Sequence, residues 1–489
     1  MTEMGDLSFF FNPQSVAVIG ASNRFGSWGN MIIRGLITHN YPGQLYPINL
    51  GVKEVLGISA YRSLSEVPGE VEVAVIAIPA EKLHGALRDC AKKRVRGVII
   101  ITSGFGEALG DEGKKKEERI ALFGRRYGIR IIGPNVSGIF NLHKSYYAAA
   151  ANPIFMTPSK MTFICQGGYA VNNVMNRAHS KGLGVGKFVH TGNEADLQCT
   201  DFLEFVRKDR DTEVILMYIE GLKDPRRFLE IARKTSQEKP IIVYNGGRTE
   251  DGARAAASHT GAIASSYGIY RGFFEQAGCI QAPDFESILE LGHAFMFYPP
   301  LKGPRVAVLT MGGSWGVMLT DRLCRKGLKV QELSRVLQKK LRDIGMPYRA
   351  STKNPVDIGA AGISLGMNAR ISIIEALLSD REIDGVVIHG FGQIGTESDI
   401  LPEGIRKRQR DEEETLRRGV ELMRRYDKPF VIGSLMSHFE SPTIRNLVLE
   451  GIPSFTRLEE IADLLATLHH YYQKVAGHRV SGDMRAFLK

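Results

Sequence analysis

The chain has 489 residues, too many for one ordinary hydrophobic core, so two to four domains are expected. Its 43% hydrophobic and 24% charged residues, the absence of any apolar run near the ~20 residues of a membrane span, and the lack of a basic-then-apolar leader describe a soluble cytoplasmic protein with no membrane role. The net charge is +10, but Lys114–Lys116 run into Glu117 and Glu118, and Arg406–Arg410 into Asp411–Glu414; this reads as solvated helix faces, excludes a nucleic-acid surface and leaves a mild positive field suited to an anionic ligand.

Short β-branched runs alternate with helical segments almost throughout, the pattern of α/β folds with parallel sheets. The first third predicts strands at Val16–Ile19, Gln44–Ile48, Val73–Ile78, Gly97–Ile101 and Arg130–Ile132, with helices such as Glu81–Lys93 and Asp111–Tyr127 between them. This is a Rossmann-like unit, assigned to residues 1–145. Tyr146–Pro158, rich in Ala with two prolines, reads as a linker. A second unit, 155–298, predicts strands at Met161–Cys165, Lys187–His190, Val214–Tyr218 and Ile241–Tyr244. The breaker cluster Pro299–Pro304 precedes a third, 303–489, with strands at Arg305–Thr310, Gly385–His389, Pro429–Gly433 and Pro453–Phe455. Units two and three each open with a strand and a Gly-rich turn, and read as flavodoxin-like doubly wound domains.

The first Gly-rich loop, Gly20–Gly29, stands between a strand and the helix Asn30–Thr38, where a phosphate meets a helix N-terminus. It is not GxGxxG, and the second strand ends in Pro47-Ile48-Asn49 without an acid, so nicotinamide dinucleotide is disfavoured. Five scattered cysteines without a CxxC pair argue against disulfides and zinc. Cys165, at a helix start with no visible basic neighbour, reads as structural. His259 lies among small residues, after the N-cap candidate Ser258 and before Gly261–Ala264, which reads as a helix opening. A histidine so placed is accessible to a phosphoryl group, and the helix N-terminus favours the resulting anion.

Residues 246–262 around His259 resemble the phosphohistidine segment of NDP-forming acyl-CoA synthetases, the ADP-forming acetate–CoA ligase group of the succinyl-CoA synthetase superfamily. Phe11–Ser22, Ile132–Asn135, Lys187–Asp196 and Asn354–Asp357 match in kind and order, so the resemblance runs from about residue 8 to about residue 470. It implies an α subunit that interconverts acyl-CoA, ADP and phosphate with a carboxylic acid, CoA and ATP. By this resemblance Gly20, Ser22, Asn23, Gly26 and Ser27 surround the CoA phosphates, while Pro79, Ser103, Gly104 and Phe105 hold its nucleotide and pantetheine parts. Asn135 orients the thiol end or the acyl substrate, His259 carries the phosphoryl group, and Glu220 hydrogen-bonds that histidine. No residue of this chain is assigned to a metal. Mg²⁺ and ADP/ATP fall mainly to an ATP-grasp β subunit in an expected α2β2 assembly. The alternative is a CoA-binding regulatory or non-catalytic paralogue.

Four departures mark this chain. Cys165-Gln166-Gly167-Gly168 occupies the place of the family's Ser-Gln-Ser-Gly, where a second helix N-terminus caps the phosphohistidine; the amides at Gly167 and Gly168 stay, but two hydroxyls are lost. Val136-Ser137-Gly138 replaces the usual Cys-Leu-Gly after Asn135. Ser314-Trp315 replaces Pro-Gly in the third unit, where Trp315 is expected to pack in an interface. Gly51 also stands where the family has a Lys, with Lys53 two residues on.

Overall fold

The computed structural model describes residues 6–150, 158–168, 170–180, 183–252, 254, 267–359, 365–395 and 401–479. It forms two compact units, Met1–Gly292 and His293–Lys489. The first holds two large sheets and a two-stranded ribbon, Glu54–Val55 with Ile58–Ser59. One is parallel, with strands side by side in the order Gln44–Ile48, Ser15–Ile19, Val73–Ile76, Gly97–Ile100, Arg130–Ile132. Numbered along the chain this is 2-1-3-4-5, a doubly wound order. Its central strands are buried end to end, as apolar runs covered by helices on both faces must be.

The second sheet repeats that order in its parallel part: Lys187–His190, Met161–Cys165, Val214–Ile219, Ile241–Asn245, Ile280–Gln281. The second unit repeats it again with Val356–Asp357, Val306–Thr310, Gly385–His389, Phe430–Gly433 and Ser454–Phe455. In such sheets a crevice forms at the carboxyl ends of strands 1 and 3, where the winding reverses. Those ends are Gly20 and Ala77, then Gln166 and Glu220, then Met311 and Gly390.

The stretch from Tyr146, expected to be a linker, begins as a strand. Gly138–Asn141 and Tyr146–Ala149 form an antiparallel hairpin that adds to the second sheet beside Lys187–His190. The small residues Ala148 and Ala149 are core here. Tyr147 stacks on His39 (4.4 Å) and Phe140 (5.2 Å). Gly35 admits the Tyr147 ring, since a Cβ there would lie 2.7 Å from Tyr147 Cδ1. The helix Trp28–Thr38 thus packs on the hairpin, and one apolar cluster runs from Phe10 and Ile32 through Tyr146 to Ile215 and Phe274.

The charged helices, expected to be solvated, bury two of their acids. In Glu403–Tyr426, Arg417–Glu413 and Arg418–Glu414 form i,i+4 pairs. Glu412 and Glu117, however, are turned inward. Glu412 accepts from Gly392 N and Glu117 from Gly106 N, because loop amides beside each helix need an acceptor. Among the described residues no helix is long and apolar enough to cross a membrane.

Candidate functional site

The loop after the first strand is shaped by close backbone approach. Gly20 has φ +94°, and a Cβ there would lie 2.3 Å from Ala77 O, so only glycine lets the two strand ends meet. Ser22 Oγ accepts from Arg24 N, and Ser27 Oγ donates to Arg24 O. Asn23 donates to Glu54 O and accepts from Leu56 N, pinning the Glu54–Ser59 turn. Asn49 donates to Ala21 O and accepts from Gly51 N and Val52 N. Asn23 and the two hydroxyls therefore help to hold the loop, while Ser22 Oγ keeps its proton to donate and Ser27 Oγ its lone pairs to accept. What the loop presents is the N-terminus of the helix Trp28–Thr38, with its first-turn N–H groups.

A cavity of ≈ 720 Å³ opens where the switch points of the two sheets in this unit face each other. Trp28, Pro79 and Ser103 line it from the first sheet; Asn135 and Ser137 from the segment joining the sheets; Gly167, Gly168, Tyr218 and Glu220 from the second. Asn135 takes φ +64° after Pro134, donates to Asn193 Oδ1 and is tied by its N–H to Thr102 O.

Beneath the second-sheet wall, Gln166 uses every polar atom it has. Its Oε1 accepts from Glu220 N (2.6 Å) and Gly221 N (3.1 Å), and its Nε2 donates to Gly221 O and to Glu194 Oε1. Glu194 is 2% exposed, and burial raises its carboxyl above the usual range, against the donors Gln166, Cys199 N and Thr191. Lys223 Nζ closes this floor on the carbonyls of Asn193 and Glu194. His190 Nδ1 accepts from Ser137 N (2.7 Å), so its Nε2 carries the proton and donates to Gln166 O (2.8 Å). Glu220 is thus presented by a backbone held through Gln166. Burial, then the charge and hydrogen bond of Glu220, push the Tyr218 hydroxyl far above its usual value. The Tyr218 ring also occupies the space beside Gly167, where a Cβ would meet Tyr218 Cε1 at 2.6 Å. The hydroxyl missing at Gly167 therefore has no room in this packing.

Of the residues singled out in the sequence, Pro79, Ser103, Asn135, Gly167, Gly168 and Glu220 come together in the cavity. Gly20, Ser22, Asn23, Gly26 and Ser27 sit on the loop leading to it. Gly104 and Phe105 do not reach it: Glu107 takes both amides and Phe105 is buried. His259 lies outside the described residues. Cys165 is buried, donates to Gly167 O, and burial drives its thiol well above the ordinary value, as a structural cysteine requires. The sequence singled out Ser137 only as a departure from the family pattern, and did not single out Gln166 as a clamp, His190 or Tyr218. The signal for Gln166 was present, since a glutamine ending an otherwise apolar strand needs partners.

Residues 14–141 match the family model of a CoA binding domain, and residues 158–295 that of a succinyl-CoA ligase like flavodoxin domain. The chain is 36% identical over 477 residues to the α subunit of acetate–CoA ligase (ADP-forming) II of Pyrococcus furiosus, covering 96% of this chain and 99% of that one. It is 39% identical over 353 residues to the acetate–CoA ligase (ADP-forming) of Methanocaldococcus jannaschii, covering 72% of this chain and 49% of that longer protein. Its fold is similar to an acetyl-coenzyme A synthetase of Candidatus Korarchaeum cryptofilum solved with phosphate and ADP, with a TM-score of 0.85 and 30% identity over 98% of this chain and 100% of that one. With near-complete coverage at this identity, and the strand order and paired switch points in place, the chain belongs to the NDP-forming acyl-CoA synthetase family, alongside the α subunits of ADP-forming acetate–CoA ligases.

Proposed function

We propose that this chain is the α subunit of an ADP-forming acyl-CoA synthetase, interconverting acyl-CoA, ADP and phosphate with a carboxylic acid, CoA and ATP. The observation that carries the reading is the single cavity shared by the CoA-binding wall and the wall of Gly167, Gly168 and Glu220. CoA enters along the Gly20–Ser27 loop, past Pro79 and Ser103, with Asn135 near its thiol end. Phosphate sits at the amides of Gly167 and Gly168, before the helix Ala170–Ser180. A phosphate oxygen attacks the thioester carbonyl, the C–S bond breaks, and CoA leaves as a thiol with one proton taken up. The imidazole of His259 attacks phosphorus in the acyl phosphate, and the carboxylate departs. A terminal oxygen of ADP then takes the phosphoryl group from nitrogen, giving ATP. Two such transfers replace one harder step. Glu220 accepts the other ring N–H of His259 and fixes the tautomer that attacks.

Mg²⁺ and the nucleotide would be held mainly by an ATP-grasp β subunit, in an α2β2 assembly in the cytoplasm. The longer M. jannaschii relative, of which this chain spans 49%, supports a partner. The modules proposed for the work are residues 1–145, 155–298 and 303–489. With the partner co-purified, labelled ATP should give an acid-labile, base-stable phosphoprotein; His259→Ala should abolish the label and keep CoA binding, and Glu220→Gln should slow labelling. A wild-type complex that binds CoA but never labels would establish the regulatory alternative, which the loss of the Gly167 hydroxyl favours.

A further inference from the structure

Ser137 lines the cavity, is 6% exposed, and its Oγ is buried without any hydrogen-bond partner. Among the described residues no other cavity-lining side-chain atom is buried and unpaired in this way. Both backbone groups of Ser137 are already committed, its N–H to His190 Nδ1 and its carbonyl to Ala150 N. His190 is itself locked on Gln166 O, so the serine is held firmly with only its hydroxyl unspent. Val136, next to it in the chain, and Ala150, bonded to its carbonyl, offer no side-chain acceptor. A buried hydroxyl without a partner destabilises the free protein, and it persists where a ligand supplies the partner. The position is also one where the chain leaves the family pattern, Val136-Ser137-Gly138 standing for Cys-Leu-Gly. A reacting carbonyl is common to every acyl group these enzymes handle, so a hydroxyl that stands where the family commonly has a leucine reads something that differs between acyl groups.

We infer that Ser137 is a specificity-determining residue that hydrogen-bonds an oxygen borne by the acyl chain itself, so that the preferred substrate is a hydroxy- or oxo-substituted carboxylic acid. This rests on the proposed CoA-ligase reading and narrows its substrate class. A site built to pair a substrate oxygen discriminates against the analogue lacking it, because the protein group is then left unpaired.

Calorimetry on the full chain with CoA, butyryl-CoA, 3-hydroxybutyryl-CoA and 4-hydroxybutyryl-CoA tests it. Wild type should bind one of the hydroxybutyryl thioesters about tenfold more tightly than butyryl-CoA. Ser137→Ala should erase that preference, leave butyryl-CoA and CoA affinity unchanged, and raise the melting temperature of the free chain. A wild type without the preference, a variant that keeps it, a variant that weakens all four ligands alike, or a variant whose free chain melts lower would each overturn the inference. Failure of wild type to bind CoA at all would instead strike the function proposed above.

Discussion

The second and third sheets share a strand order and open alike, with a strand, a Gly-rich turn and a helix, yet their switch points are built in opposite ways. At the second, Gln166 follows the first strand and spends its amide on Glu220, Gly221 and Glu194. At the third, Met311 holds the equivalent place. There the Trp315 ring lies 5.2 Å from His389 at 61°, and His389 Nδ1 is buried without a hydrogen-bond partner. A Cβ at Gly390 would lie 3.0 Å from Trp315 Cζ3, so the aromatic fills the crevice. Topology supplies a crevice in each case; the side chains decide whether it becomes a polar-floored cavity or a packed plug.

The comparison breaks first at Gln166. Gln166→Met makes the second switch point like the third, and strands Glu220 N, Gly221 N and one donor to the buried Glu194. The expected loss is about 3–5 kcal/mol of stability, with phosphorylation lost as well. Met311→Leu, a volume-conserving change, should cost less than about 1 kcal/mol. Urea titrations of both variants check the pair, and equal losses would show that the Gln166 network adds nothing.

His389 sharpens the other side. Burial pulls it down to about 4, so the folded form stays neutral where the unfolded form is protonated. The unfolded state then binds more protons between about pH 6.5 and 4, and stability falls as pH drops through that window. His389→Phe keeps an aromatic against Trp315 and should remove about 3 kcal/mol of that acid dependence. The chain has two tryptophans, so Trp315 fluorescence in a Trp28→Phe background reports it.

A smaller effect is expected at Gly167. Gly167→Ser restores the hydroxyl that the resemblance led one to miss, but its Cβ meets the Tyr218 ring at 2.6 Å. The cost should be about 2 kcal/mol, and Tyr218→Val should relieve it. A double-mutant cycle with no coupling would show that the two positions do not compete for space.

These cases show what the sequence carried. Central strands were legible because an apolar β-branched run between breakers has few alternatives. Met161–Cys165 and Lys187–His190 stand where expected. The hairpin Gly138–Asn141 and Tyr146–Ala149 was not legible, since its Ala-rich second strand has weak local preference and is stabilised by packing against Gly35 and His39. Pro79, Ser103, Asn135 and Glu220 were legible as strand-end residues. His190 and Tyr218 were not, because their meaning lies in contacts across 53 residues, as between His190 and Ser137, or across the face of a sheet, and Ser137 was legible only as a departure from the family pattern. The loop at Gly104 holds a contact that was not legible either: Glu107, three residues on, accepts from the Gly104 amide.

That loop gives the smallest prediction. Asn193 Nδ2 donates to Glu107 Oε2 and Glu117 Oε1, holding two carboxylates together on the amides of Gly104 and Gly106. Burial opposes ionisation of Glu107, but the Gly104 amide and Asn193 outweigh it and hold the carboxyl below its usual value. Asn193→Ala removes the donor that both acids share and lets their charges repel. The expected loss is about 1 kcal/mol near pH 7. A carboxyl lowered in the folded state contributes stability above its unfolded value, and that contribution fades as pH falls through the folded one. The gap between wild type and Asn193→Ala should therefore close below about pH 4. Melting curves from pH 7 to pH 3.5 measure it. A gap that stays constant would mean that Asn193 acts by packing alone, and that the carboxylate pair does not contribute to holding the first sheet's loop to the second sheet.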